Sequence, residues 1–286
     1  MIKPVLVCPF NRKLMDKIKN TQFIITVTGF DDIHEVIKSV HRTNELLGIK
    51  IHTEKTLSSI DFDKNWEKFP LFIYAENFGE FLELFPKTEI IRNLNVHFFL
   101  SAHNEFNFTG LKILASLRIH CGLWFDKLPV SWDLMNDLMH YAIYSKPKHA
   151  HIEPFKWLAE HYAVNGYSNY DAVYFNDPIK FLHINSNEQV AFTADDLLNN
   201  KFIAEGAENI DSIQNLQEYK DLSHSRYESM LKMDDCSFCS AFRICLGKFG
   251  YLKDKKTTCQ PFFADLHDAC DYHLSGKKTK ENILWQ

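Results

Sequence analysis

Up to about residue 126, short apolar runs alternate with amphipathic stretches. The apolar runs span residues 4–8, 23–28, 49–53, 71–75, 96–100 and 122–125. Each is four to six residues long and rich in Val, Ile and Phe, the pattern of strands covered on both faces of a parallel sheet. Between them the spacing predicts helices over 12–20, 32–47, 79–85 and 111–118. In the second of these Ile33, Val36, Ile37, Val40 and Leu47 share a face, with Asp31 placed to cap and Gly48 to stop it. Residues 54–69 carry only a weak helical pattern.

Helical periodicity resumes over 132–144 after Ser131 and over 154–162, where Pro154 sits harmlessly in the first turn. Residues 181–193, FLHINSNEQVAFT, predict a hairpin with a polar turn at 185–188, followed by a short helix from Ala194. A long polar helix is expected over 210–230. A boundary falls near 205, at Glu205-Gly206, dividing the chain into 1–205 and 206–286. Six strand–helix alternations predict an α/β fold, either an open parallel sheet or an incomplete (β/α)6-like barrel. A complete eight-fold barrel takes about 200–250 residues, more than this stretch provides.

Composition narrows the function. A net charge of −5 without a Lys/Arg stripe argues against nucleic acid. Lys277, Lys278 and Lys280 read as a solvated tail. No run approaches the roughly 18 apolar residues that a membrane span needs. The opening Met1-Ile-Lys-Pro4 lacks the features of an export signal. Seven cysteines, an odd number, then read as reduced cytoplasmic thiols and not as a disulfide framework.

Four of those thiols are concentrated. Cys236, Cys239, Cys245 and Cys259 form a C-x2-C-x5-C-x13-C array. A C-x2-C turn chelates one metal from a tight loop, and the two later cysteines can close a four-thiolate site. A single C-x2-C knuckle with Phe238, Phe242, Ile244 and Phe249 around it favours an iron–sulfur cluster over zinc, the alternative. Arg243 and Lys248 would offset its negative charge. Cys270 is a rival fourth ligand, but Cys259 closes a shorter loop.

The run CSFCSAFRICLGKFG, with the later CQPFF, resembles the SPASM domain, the C-terminal extension of many radical S-adenosylmethionine enzymes that modify ribosomally made peptides. The resemblance implies that Cys236, Cys239, Cys245 and Cys259 ligate one auxiliary [4Fe–4S] cluster. It extends more loosely to the hairpin and to the strand–helix alternation. The family's further cysteine falls on Phe249, and its upstream pair has no counterpart between Cys121 and Cys236, so a second auxiliary cluster is not expected. The C-x3-C-x2-C loop that activates S-adenosylmethionine is also missing, because Cys8 is followed by Pro9, Phe10 and Asn11. S-adenosylmethionine is therefore not an expected cofactor. The resemblance implies an accessory or degenerate relative that binds a precursor peptide or a partner maturation enzyme.

Two weaker constellations compete. His149, His151 and Glu153 would share one face of an extended segment, a set able to hold a catalytic metal, with His120 and His161 near enough to join. A metal-dependent enzyme with structural cysteines is thus one alternative function, and an inactive scaffold with structural zinc is another. Glu76, Asn77, Asn104, Glu105, Asn107, Thr109 and Asp126 follow strands at the end where α/β sheets bind ligands, although each reads more simply as a cap or turn residue. No G-x-S-x-G elbow, P-loop or G-x-G-x-x-G occurs.

Overall fold

The fold is taken from a computed structural model, which describes residues 4–40, 44–125, 129–145, 148–162, 170–206, 216–221, 224, 228, 239, 242–245 and 259–283. It is an α/β chain with a mostly parallel sheet. Packing divides the chain into two compact units that interleave in sequence. The first comprises Met1–Phe99 and Tyr174–Ser225, the second Leu100–Val173 and Arg226–Gln286. This division does not follow the expected split near residue 205.

In the first unit the strands are β1 (Val5–Pro9), β2 (Gln22–Val27), β3 (Glu45–Thr53), β4 (Leu71–Ala75), β5 (Val96–Ser101), β8 (Phe181–Ile184), β9 (Gln189–Ala191) and β10 (Ala204–Glu205). The last two residues of β5 belong to the second unit. Their order is β10-β9-β8-β1-β2-β3-β4-β5. Strands β1 to β5 are neighbours in chain order, and right-handed crossovers between such strands leave the connecting helices on one face. Helices α1 (Arg12–Lys17) and α2 (Asp32–Ser39) bury Leu14, Met15, Ile33 and Val36. On one face of the sheet Leu6, Cys8, Phe23, Ile25, Val27, Ile49, Ile51, Leu71 and Ile73 are all buried. At about 1.5–3 kcal/mol for each large side chain, this layer is a principal source of stability.

The strands and the hairpin (β8 and β9, antiparallel) form where the apolar runs lie. The expected helix over 32–47 is shorter. It ends at Ser39, and Glu45 already begins β3. Gly48 therefore stops no helix: it lies inside β3 opposite a register shift at Phe23/Ile24, where Leu47 is the unpaired residue. A Cβ at Gly48 would stand 2.4 Å from the Phe72 ring, so glycine is required by close approach. Residues 54–69 fold as two 3-10 turns, Leu57–Ser59 and Lys64–Lys68. After β4 the chain makes α3 (Phe81–Leu84), a 3-10 turn and α4 (Thr88–Asn93).

The second unit contains α5 (Glu105–Ser116), β6 (Cys121–Trp124), α6 (Trp132–Tyr144), β7 (Ile152–Glu153), α7 (Phe155–His161) and a C-terminal helix, Gln260–Ile283. Ser131 caps α6 by accepting from the Leu134 N–H, as its position suggests. The C-terminal helix packs on α6 and α7. Phe262 and Phe263 are buried, with Trp132 5.3 Å from Phe262 and Phe155 6.2 Å from it, ring centre to ring centre. Asn136 donates to Asp265 (2.8 Å), and the Tyr162 hydroxyl bonds His267 Nε2 (2.9 Å). In this part of the chain the aromatic pair of CQPFF serves as core for the second unit. Most of the expected helix over 210–230 lies outside the described residues.

Candidate functional site

The two faces of the first unit's sheet differ sharply in chemistry. One is the aliphatic layer described above. The other carries Val5, Val7 and Pro9 of β1, Ile24 and Thr26 of β2, Lys50 and His52 of β3, Phe72 and Tyr74 of β4, and Phe181 and His183 of β8, matched by register. Its lower part is apolar: Val5, Val7, Ile24 and Phe181 form a cluster with Leu47 and Phe175. Phe175 lies 4.6 Å from Phe72 and 5.6 Å from Phe181, so one ring bridges β4 and β8. It does so with φ of 60°, a left-handed conformation unusual for a bulky residue. Its carbonyl accepts from His183 Nε2 at 3.0 Å.

Toward the carboxyl ends of the strands the face becomes polar. His52 stacks on Tyr74 (4.7 Å), and Tyr74 stacks on Phe99 of β5 (4.7 Å). Rings on three neighbouring strands thus form one pile. Lys50 Nζ sits 4.6 Å above the Tyr74 ring centre, a cation–π contact. Lys50 and Thr26 are half-buried cross-strand neighbours, while His52 is exposed. His97, also half-buried, lies 5.3 Å from Phe72.

Burial sets the electrostatics. It pulls the Lys50 ammonium down to about 8. Burial and then the charge of Lys50 hold His183 at about 4, and His52 is lowered to about 4 by the same two causes in the same order. Burial also keeps the Tyr74 hydroxyl protonated, well above its ordinary range. Among the described residues Lys50 makes no ion pair. The arrangement is one ammonium among neutral imidazoles and rings, at the end of a parallel sheet where ligands gather.

Sequence reasoning missed this face, although a signal was present. In I-K-I-H-T the apolar residues alternate with Lys50 and His52. A strand covered by helices on both faces has no reason to alternate.

The strand-end residues singled out from the sequence mostly close turns. Asn104 caps α5 by accepting from Phe106, and Asn107 is buried and donates to the Ser101 carbonyl (2.9 Å). Glu105 and Thr109 lie within α5. Glu76 and Asn77 are exposed beyond β4, and Asp126 lies outside the described residues.

His149, His151 and Glu153 go to different partners. The His149 ring stacks on Tyr141 (4.9 Å), and its Nδ1 donates to the Ala150 carbonyl (2.7 Å). His151 meets His120 edge to face at 5.3 Å. Glu153 accepts from the Trp157 N–H (2.9 Å) at the start of α7, and burial pushes its carboxyl up to about 7. His161 stacks on Trp157 within α7 (4.4 Å). Among the described residues no group of three or more His, Cys, Asp or Glu side chains is placed to hold a metal. The alternative of a metal-dependent enzyme at His149/His151/Glu153 therefore gains no support from the geometry, because strand alternation is outweighed by local packing and capping.

Of the cysteine array, Cys236 lies outside the described residues. Cys239 precedes a single helical turn, Phe242–Cys245, in which Ile244 and Cys245 are buried. Cys259 opens the C-terminal helix, its carbonyl accepting from Phe263 (3.2 Å). Cys270 is fully buried within that helix, the setting of a core residue. Cys239, Cys245, Cys259 and Cys270 form no disulfide among the described residues. The described three, Cys239, Cys245 and Cys259, do not by themselves form a metal-holding group. Cys8 faces the aliphatic layer, and burial pushes its thiol up to about 12, so it is no thiolate donor. Directly after it, Asn11 caps α1. No helix among the described residues is long and apolar enough to cross a membrane. No protein-family model and no curated protein sequence matches the chain.

Proposed function

We propose that this chain is an accessory protein in the maturation of a ribosomally made peptide, related to SPASM-containing radical enzymes but unable to start radical chemistry itself. The observation that carries this reading is the C-x2-C-x5-C-x13-C array in a chain whose first strand leads through Pro9-Phe10-Asn11 directly into a capped helix. The first unit supports it as a scaffold. Its strands β1 to β5 run in chain order in a mostly parallel sheet, an order compatible with an open sheet or with an incomplete (β/α)6-like barrel. The chain's role is to hold the precursor peptide, or the partner maturation enzyme, in a cytoplasmic complex.

The cofactor belongs to the same proposal. Cys236, Cys239, Cys245 and Cys259 are the donor set for one [4Fe–4S] cluster, which needs the segment bearing Cys236 to complete it. When bound, the cluster would stabilise the cysteine segment and offer a one-electron relay.

Anaerobic purification followed by metal and sulfide analysis tests the reading. About four iron and four sulfide per chain are expected, lost on Cys236→Ser/Cys239→Ser, with no 5′-deoxyadenosine formed from S-adenosylmethionine and dithionite. A colourless protein with stoichiometric zinc would instead indicate the structural-zinc scaffold. Formation of 5′-deoxyadenosine would remove the accessory role.

A further inference from the structure

We propose that the polar face of the first unit's sheet is a binding site for a small organic carboxylate, with Lys50 as its charge partner and the partly exposed Phe72 ring as its apolar wall. The inference holds whether or not the cysteines carry a cluster.

Three features of the geometry carry it. Lys50 projects from mid-sheet, half-buried, with its ammonium resting on the Tyr74 ring and no ion pair among the described residues. The ammonium is thus held over a ring at a partly exposed point of the sheet, with its charge open to an anionic ligand. The groups around it are neutral: His52 and His183 are held unprotonated, and Tyr74 keeps its proton. The face therefore offers one net positive charge, which matches a monoanion better than a dianion such as phosphate. Phe72, cross-strand from Lys50 and partly exposed, offers flat apolar surface, and Thr26, on the other side of Lys50, supplies a hydroxyl. Charge, hydroxyl and ring together suit a carboxylate attached to an apolar or aromatic body. The site is reachable, since His52 is exposed and Thr26, Lys50 and Phe72 are each partly exposed. The Phe175 ring beneath it is held in a left-handed backbone conformation and tied through its carbonyl to His183. Local strain of that kind persists where the surroundings fix a geometry.

The test uses the intact wild-type chain with benzoate and inorganic phosphate as probes. Brief acetic anhydride labelling at neutral pH, read residue by residue by mass spectrometry, compares Lys50 with the exposed Lys38 and Lys55. Benzoate is expected to slow acylation of Lys50 at least 5-fold (about 1 kcal/mol at RT ≈ 0.59 kcal/mol) while leaving Lys38 and Lys55 unchanged, and phosphate is expected to do far less. Calorimetry should show benzoate affinity falling about 10-fold or more in Lys50→Gln, and several-fold in Phe72→Leu, in variants whose circular dichroism matches wild type. Equal labelling of Lys50 with and without benzoate overturns the proposal, as does undiminished benzoate binding by Lys50→Gln. Protection by phosphate but not benzoate overturns the carboxylate assignment.

Discussion

Glu153 shows how a residue chosen for one chemistry performs another. Its carboxylate caps α7 through the Trp157 N–H, yet burial leaves its folded pKa near 7, above the ordinary 4.5. The sign follows directly. Between those two values the folded chain holds a proton that the unfolded chain has released, so stability falls as pH rises through about 4.5–7. Wild type is expected to lose on the order of 2–3 kcal/mol across that window relative to Glu153→Gln, which keeps an acceptor for the cap without the charge. Urea denaturation at pH 5 and pH 7.5 measures this. Parallel pH dependence in both proteins would show that the carboxyl is better solvated than its packing implies. The Lys50 case is the mirror image: a cation whose burial lowers its pKa, set where a ligand's charge would restore it.

At the scale of elements, the C-terminal helix is the instructive case. Its buried Phe262, Phe263, Leu266, Ala269 and Cys270 pack within the second unit, with Trp132 and Phe155 as aromatic neighbours. Phe263→Ala is expected to cost about 3–5 kcal/mol, and Tyr272→Ala, on the exposed side, almost nothing. Thermal unfolding of both separates a core helix from a surface appendage. Sequence periodicity found the strands because each needs only a short apolar run. It found α6 because Ser131, the cap, precedes a clear amphipathic stretch. It failed at Gly48, where a residue that usually ends helices is needed for the approach of Phe72 from the next strand, a tertiary demand with no local trace. Phe262-Phe263 enter the sequence reading only through the CQPFF resemblance. Only packing reveals them as partners of Trp132, some 130 positions earlier in the chain. The Lys50 face was partly legible, in the alternation of IKIHT, but Tyr74, Phe99 and His183 come from distant segments that only the sheet order aligns.

At the scale of the whole molecule, each compact unit is assembled from two separate stretches of chain. The first is completed by β8, which pairs in parallel with β1. The second is completed by the helix Gln260–Ile283 against α6 and α7. A fragment cut at residue 205 therefore retains the eight described strands of the first unit but removes the helix that packs on Trp132 and Phe155 in the second. Apolar helix faces without their partner lose the burial that stabilises them, since short isolated helices are marginal in water. Hydrogen exchange on the 1–205 fragment should show β1, β2 and β3 amides protected much as in the full chain. Amides of α6 and α7 should exchange at least 100-fold faster, an opening made easier by about 2.7 kcal/mol. Protection retained throughout would mean that the second unit folds without its last helix and that a boundary near 205 marks separable domains. Selective loss would mean that the cysteine-bearing segment is tethered at its far end to the α/β scaffold, so that a metal bound there would bear on the stability of α6 and α7 as well as on its own loop.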